Sequence, residues 1–299
     1  MISFICAFFT SFFITFLVIY NRYSHQKYTG DFGSYGIQKF HLNTIPRIGG
    51  LGVGLAVILA MLIASEKRHA NLIEWTLPLL VMTPLAIGLV EDTTKKLGAK
   101  TRLALITMCA LLTALFLNLH ISTVSIWGLD TLLLIPAIST AVAVLAIVGL
   151  TNAYNIIDGV NGLASMVGLL TSLSLAYLGY SLDDPVIMQL SFSLTGALLG
   201  FFILNYPRGL IFLGDGGAYL IGFWIAALSI WTCANHPEVS PWFALLISAY
   251  PITETVFTIF RRGFYSKKNI LVADRLHLHS LIYRRALHAS NLKMKLNLY

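Results

Sequence analysis

The chain has 299 residues, of which 57% are hydrophobic and 11% charged, with a mean hydropathy of +0.78. That balance excludes an ordinary soluble domain, whose helices carry a polar face, and it shows no sign of a β-barrel. The net charge of +7 falls between apolar runs, where it reports orientation; it is no sign of nucleic-acid binding.

The first apolar run, Ile2 to Tyr20, has no Lys or Arg before it, so a retained helix is expected here and no cleaved leader. Further spans are expected at about Leu51 to Ala64, Trp75 to Val90, Leu103 to Leu119, Leu132 to Leu150, Leu163 to Leu178, Val186 to Leu204, Ala218 to Cys233 and Trp242 to Phe260. This makes an all-α, polytopic integral membrane protein of about nine transmembrane helices, a single domain over residues 1–299. Cys6, Cys109 and Cys233 lie in or at the end of apolar runs without CxxC spacing, and are expected to be core thiols.

Connections after the first, third, fifth, seventh and ninth spans hold 18 of the 20 Lys and Arg residues; the others hold only Lys67 and Arg68. By the positive-inside rule the first set is cytoplasmic and the amino terminus lies outside. Every other polar cluster falls on the same side, so the active site is expected to be formed by cytoplasmic loops.

The first such loop ends Pro46-Arg47-Ile48-Gly49-Gly50, a cation before glycines that allow close backbone approach. The second begins Glu91-Asp92 and continues through Lys95, Lys96, Lys100 and Arg102: acids suited to a hard cation, bases suited to phosphate. The third carries Asn152, Asn155, Asp158 and Asn161, polar groups repeated every third residue at the mouth of a hydrophobic slab. A turn between membrane helices needs one or two such groups, not four in register. In the fourth, Asp215 sits between glycines, able to reach a cation or to cap a helix starting at Gly216. The fifth holds Arg261, Arg262, Lys267, Lys268 and then Asp274-Arg275-Leu276-His277-Leu278-His279, two histidines suited to phosphate binding or proton transfer.

Together these motifs, from about Leu42 to Arg285, resemble the polyprenyl-phosphate N-acetylhexosamine-1-phosphate transferases, in that family's order. The resemblance implies transfer of a sugar-1-phosphate from a UDP-N-acetylhexosamine to undecaprenyl or another polyprenyl phosphate, releasing UMP with Mg2+, to initiate a lipid-linked envelope glycan such as O-antigen. It places Glu91, Asp92, Asp158, His277 and His279 in catalysis, Arg47, Lys95, Lys100, Arg102, Asn152 and Asn161 in substrate binding, and Asn155 and Asp215 at the metal. It also implies the bacterial inner membrane, contact with membrane lipid, and an assembly in which a homodimer is allowed. The chain departs from the family pattern in having Glu91 as the first acid of the pair and Ser280 where many members have a third histidine. It also ends in a basic tail from His288 to Tyr299, where the family usually continues into further spans. Glu254, near Pro251 in the last span, matches an acidic position common in the family.

A lipid phosphate with a second pKa of about 6 is mostly ionised at neutral pH, so bringing two anions together is the larger task. Direct in-line attack is the favoured route, with Asp92 positioning or deprotonating the nucleophile; an aspartyl-phosphate intermediate stays open. The departure at Glu91 suggests that Glu91 acts through charge or water and Asp92 through direct contact. Two other readings compete. A phospho-N-acetylmuramoyl-pentapeptide transferase usually carries a block of adjacent histidines, unlike His277-Leu278-His279, and a transporter places its polar groups at mid-membrane depth.

Overall fold

A computed structural model describes residues 2–31, 45–65, 72–265, 277–282 and 285 of the chain. In order they form α1 (Ile2–Tyr20), α2 (Arg22–Thr29), β1 (Gly30–Asp31), β2 (Ile45–Pro46), α3 (Gly49–Ser65), α4 (Leu72–Thr94), α5 (Ala99–Phe116) and α6 (Leu129–Leu133). After these come α7 (Pro136–Ile157), α8 (Leu163–Ser181), α9 (Pro185–Asn205), α10 (Gly214–Asn235), α11 (Pro241–Ile247), α12 (Ala249–Phe260) and a π-helical turn, Arg261–Tyr265. β1 and β2 pair antiparallel, Gly30 opposite Pro46. Residues 278–282 add one helical turn.

Seven of the described helices are long and apolar enough to cross a membrane: α1, α4, α5, α7, α8, α9 and α10. The helices on either side of Ser248, α11 and α12, are bent by 81° and make an eighth span if taken together, whereas α3 is a shorter apolar helix. The chain is therefore a multi-pass membrane protein; among the described residues seven of the nine predicted apolar runs form full-length spans, one forms the shorter helix α3 and one the bent pair α11 and α12.

Helix α10 stands at the centre, with Gly214, Gly216 to Ile230 and Thr232 buried in contact with α3, α4, α7 and α8. Such close approach needs small residues. A methyl group added at Gly50 of α3 would strike the backbone of Gly217, and one at Gly88 of α4 would strike that of Gly216. Helix α1 uses the same device more weakly: Ser3, Ala7, Ser11 and Thr15, four residues apart, are its buried face against α3 and α9. Cys109 is buried, Cys6 and Cys233 are half-buried, and all three are free thiols.

The helices overrun the predicted spans at the end that carries the motifs. Helix α4 continues past Val90 to Thr94, where the Thr93 and Thr94 hydroxyls bond back to the Leu89 and Val90 carbonyls, and it stops at Lys95 with a positive φ of 54°. Helix α5 starts at Ala99, and α7 runs on to Ile157. Glu91, Asp92, Lys100, Arg102, Asn152, Asn155 and Asp215 thus lie on helix ends, where the sequence predicts loops; Arg47, Lys95, Asp158, Asn161 and His277 lie outside regular helix. The motif residues Asp274 and Arg275 lie outside the described residues.

Candidate active site

The site is organised by the first turn of α10. Its opening residue, Gly214, has φ +77° and fits between the Arg47 carbonyl and the Asp92 carboxylate, 2.6 Å from a Cβ built there to Asp92 Oδ2. The free N–H groups of this turn meet two acids from other helices. Asp92 accepts from Asp215 N–H and Gly216 N–H, both at 3.1 Å, and Asp158 accepts from Gly214 N–H. The predicted alternative for Asp215, capping its own helix, does not occur: Asp215 lies inside the first turn, and the caps come from α4 and from the end of α7.

That leaves the Asp215 carboxylate facing two guanidiniums. Arg102 Nη1 of α5 lies 2.5 Å from Asp215 Oδ2, and Arg47 Nη2 lies 3.5 Å from Oδ1. Arg47 Nε is also 3.7 Å from Asp92 Oδ1, and Arg102 lies 4.0 Å from Glu91. The Asp92 side chain is only 1% exposed, against 14% for Asp215, so Asp215 is the more open of the two. Glu91 has another partner: Oε2 accepts from Leu97 N–H at 2.8 Å and folds the α4 to α5 connection. Desolvation pushes the Asp158 carboxyl well above its ordinary value; Arg47 opposes this, while Asp215 and Asp92 add to it.

The remaining candidates are placed differently. His277 and His279 stack face to face, ring centres 5.5 Å apart, and a Cβ at Gly159 would lie 2.5 Å from His279 Nε2, so the pair rests on the turn that carries Asp158. Burial, then the neighbouring His277, pushes His279 down to about 4. Asn161 packs against Gly209 in the α9 to α10 connection. Asn152 Nδ2 bonds back to the Val148 carbonyl of its own helix at 2.8 Å, and Asn155 is half-buried one turn before Asp158. Lys95 and Lys100 are exposed.

Two residues with structural leverage here were not among the predicted site residues. Buried Asn205 accepts from Gly162 N–H at 2.6 Å and donates to the Ile211 carbonyl at 2.7 Å, tying the Asp158 turn to the loop before Asp215. Glu254 of α12 meets His277. The available signals were an amide closing an apolar run and a carboxylate within one.

Among the described residues no three carboxylate, imidazole or thiol side chains surround a common point that could hold an ion by themselves. The donor set nevertheless fits magnesium, which takes one or two protein carboxylates and completes its shell with water and phosphate oxygens. Asp215 and Asp158, both at the first turn of α10, supply hard oxygen donors of that kind.

The family model for glycosyl transferase family 4 matches residues 75–233. A Bacillus subtilis (strain 168) protein named "Probable undecaprenyl-phosphate N-acetylglucosaminyl 1-phosphate transferase" is 28% identical over 243 residues, covering 81% of this chain and 66% of its own. The decaprenyl-phosphate N-acetylglucosaminephosphotransferase of Mycolicibacterium smegmatis is 30% identical over 267 residues, covering 80% and 65%. A phospho-N-acetylmuramoyl-pentapeptide-transferase of Lactobacillus gasseri is 27% identical over 257 residues, covering 82% and 79%. The chain thus spans 65–66% of the length of the first two.

Proposed function

The chain belongs to glycosyl transferase family 4, and from that premise we propose that it transfers an N-acetylhexosamine-1-phosphate from a UDP-sugar to undecaprenyl or another polyprenyl phosphate, releasing UMP. The observation that carries this is the cluster of Arg47 and Arg102 with Asp92, Asp158 and Asp215 at the amino-terminal turn of α10. Guanidiniums beside a helix amino terminus suit phosphate groups, and the carboxylates beside them suit a cation that bridges to phosphate. The names of the similar proteins, which include polyprenyl-phosphate N-acetylglucosamine phosphotransferases, support the same chemistry.

In this reading Arg47 and Arg102 leave Asp215 for the diphosphate of the donor and hold its two phosphoryl groups against the turn. Asp92, bonded to two backbone N–H groups, keeps the turn in place. Among the described residues, Leu278, Leu281, Ile282 and Arg285 border an open hollow of about 480 Å3, which we assign to the lipid phosphate. The acceptor is already ionised at neutral pH, so bringing its oxygen into line with the sugar-linked phosphorus is the main requirement. His277 and His279 line the approach over Gly159, where they donate hydrogen bonds or move a proton. Magnesium held by Asp215, with Asp158 and Asn155 beside it, would supply charge neutralisation for the diphosphate and the departing UMP.

The proposed setting is a bacterial inner membrane with the site facing the cytoplasm, and initiation of a lipid-linked glycan such as O-antigen is the proposed role. Purified protein in detergent, given undecaprenyl phosphate, magnesium and a panel of UDP-N-acetyl sugars that includes the muramoyl-pentapeptide donor, tests the chemistry by UMP release. UMP from an N-acetylhexosamine donor is the expected result. Release from the pentapeptide donor only would establish the peptidoglycan reading, and release from none would overturn transferase activity. Orientation is tested by cysteines introduced at Asn118 and Asp184, which should react with an impermeant thiol reagent outside intact cells while those at Thr94 and Asn269 should not.

A further inference from the structure

Glu254 is a carboxylate inside an apolar helix, 5% exposed at its side chain, and a charge so placed is costly unless it is paired. Among the described residues its hydrogen-bond partners belong to the histidine motif. Glu254 Oε1 lies 3.1 Å from His277 Nδ1 and accepts from Leu278 N–H at 2.9 Å. One turn further along α12, Thr258 Oγ1 lies 3.2 Å from the same Nδ1. From His277 the contact continues by ring stacking to His279, whose Nε2 rests on Gly159, next to Asp158.

We propose that Glu254 is the positioning residue of the His277–His279 pair. A carboxylate only accepts, so the Nδ1 that faces it carries a proton and donates, and Nε2 is the ring nitrogen left for other partners. The bond to Leu278 N–H does a second thing: it caps the turn 278–282 from another helix and fixes the angle at which that turn leaves His277. Both bonds use one oxygen, Oε1, so the two effects are set by a single atom on α12, just beyond the bend at Ser248. The inference rests on the transferase reading for the role of the histidines, but the placement it describes can be measured without turnover.

The test compares Glu254→Ala and Glu254→Gln, each in the wild-type and His277→Ala backgrounds. The amide oxygen of Gln still accepts both hydrogen bonds, whereas Ala removes them. Glu254→Ala should lower kcat by about 10- to 100-fold, the scale for a partner that orients a working imidazole, with KM for the UDP-sugar little changed. Gln should restore most of the loss, and in the His277→Ala background Glu254→Ala should cost nothing further. Carbethoxylation of His277 and His279 by diethyl pyrocarbonate, located by peptide mass spectrometry, should accelerate several-fold in Glu254→Ala and not in Glu254→Gln. An equal loss in both backgrounds, or Gln no better than Ala, would overturn the proposal. Where Glu254→Ala does not accumulate as folded protein, Glu254→Asp replaces it: one methylene too short to reach, it should behave as the defective variant while Gln does not. If the wild type releases no UMP from any donor, the transferase reading falls, and the carbethoxylation rates still decide the placement.

Discussion

Replacing Asn205 by Ala removes a side chain that satisfies two backbone groups at once, Gly162 N–H at 2.6 Å and the Ile211 carbonyl at 2.7 Å, in a residue only 4% exposed. Each buried group left unpaired costs about 1–3 kcal/mol, and water entering the vacated space recovers part of that, so a net loss of about 2–4 kcal/mol is expected. At roughly 2–4 °C per kcal/mol for a chain of this order of size, Tm should fall by about 5–15 °C. The assay is thermal unfolding in detergent micelles, followed by intrinsic fluorescence or loss of monodispersity. Asn235→Ala is the control, because its Nδ2 also donates to a carbonyl, that of Trp231, but from an exposed position; its Tm should move by no more than about 1–2 °C. Activity should fall with stability, since Gly162 closes the turn of Asp158 and Asn161 while Ile211 leads into Asp215. A Tm for Asn205→Ala as close to wild type as that of Asn235→Ala would refute the reasoning.

Three further outcomes follow from the geometry. Gly214→Ala must place a Cβ at φ +77° against the Arg47 carbonyl and Asp92 Oδ2, so UMP release should fall at least 100-fold, on the scale of about 10²-fold for a displacement of about 1 Å; near wild-type activity would show that the turn is not rigid. Glu91→Gln should keep most activity because its amide oxygen still accepts from Leu97 N–H, whereas Glu91→Asp is too short to reach and should lose more; the reverse order in kcat would show that charge at this position outweighs the connection it folds. His279 has a folded-state value of about 4 against an ordinary 6.5, so the unfolded or undocked state binds the extra proton in that window and docking of the turn weakens as pH falls from 6.5 towards 4. Hydrogen-exchange protection of amides 278–282 should therefore be lower at pH 5 than at pH 7, and His279→Gln should flatten the difference.

The sequence made the gathering of the motifs legible because the charge split assigns five connections to one side, and helices that alternate in direction bring alternate connections together. Arg47, Asp92, Arg102 and Asp215 are contributed by four separate segments and meet within 4.0 Å, in a mutual arrangement that spacing along the chain does not encode. Hydropathy placed the helix ends too early, since it registers only apolar residues. Threonine hydroxyls that bond back to their own helix carry α4 on through Glu91 and Asp92 to Thr94. The partner choices were not legible for a related reason. The amino-terminal turn of α10 offers N–H groups that any nearby acid can satisfy, and only the packing of α4 and α7 decides that Asp92 and Asp158 do so. The bend at Ser248 was hidden within one apolar run, although Pro251 lies three residues beyond it.

The contacts of Gly50 with Gly217 and of Gly88 with Gly216 have a mechanical consequence. Where main chain rests on main chain there is no side chain to bend, so α3, α4 and α10 respond to force as one strut. Lateral pressure from the bilayer or a change in its thickness can tilt the outer helices, but it cannot slide Asp92 along Asp215 without first separating backbones already in contact. On the other flank α12 follows an 81° bend, and the histidine turn is held to it by side chains, Glu254 and Thr258, instead of by main chain on main chain.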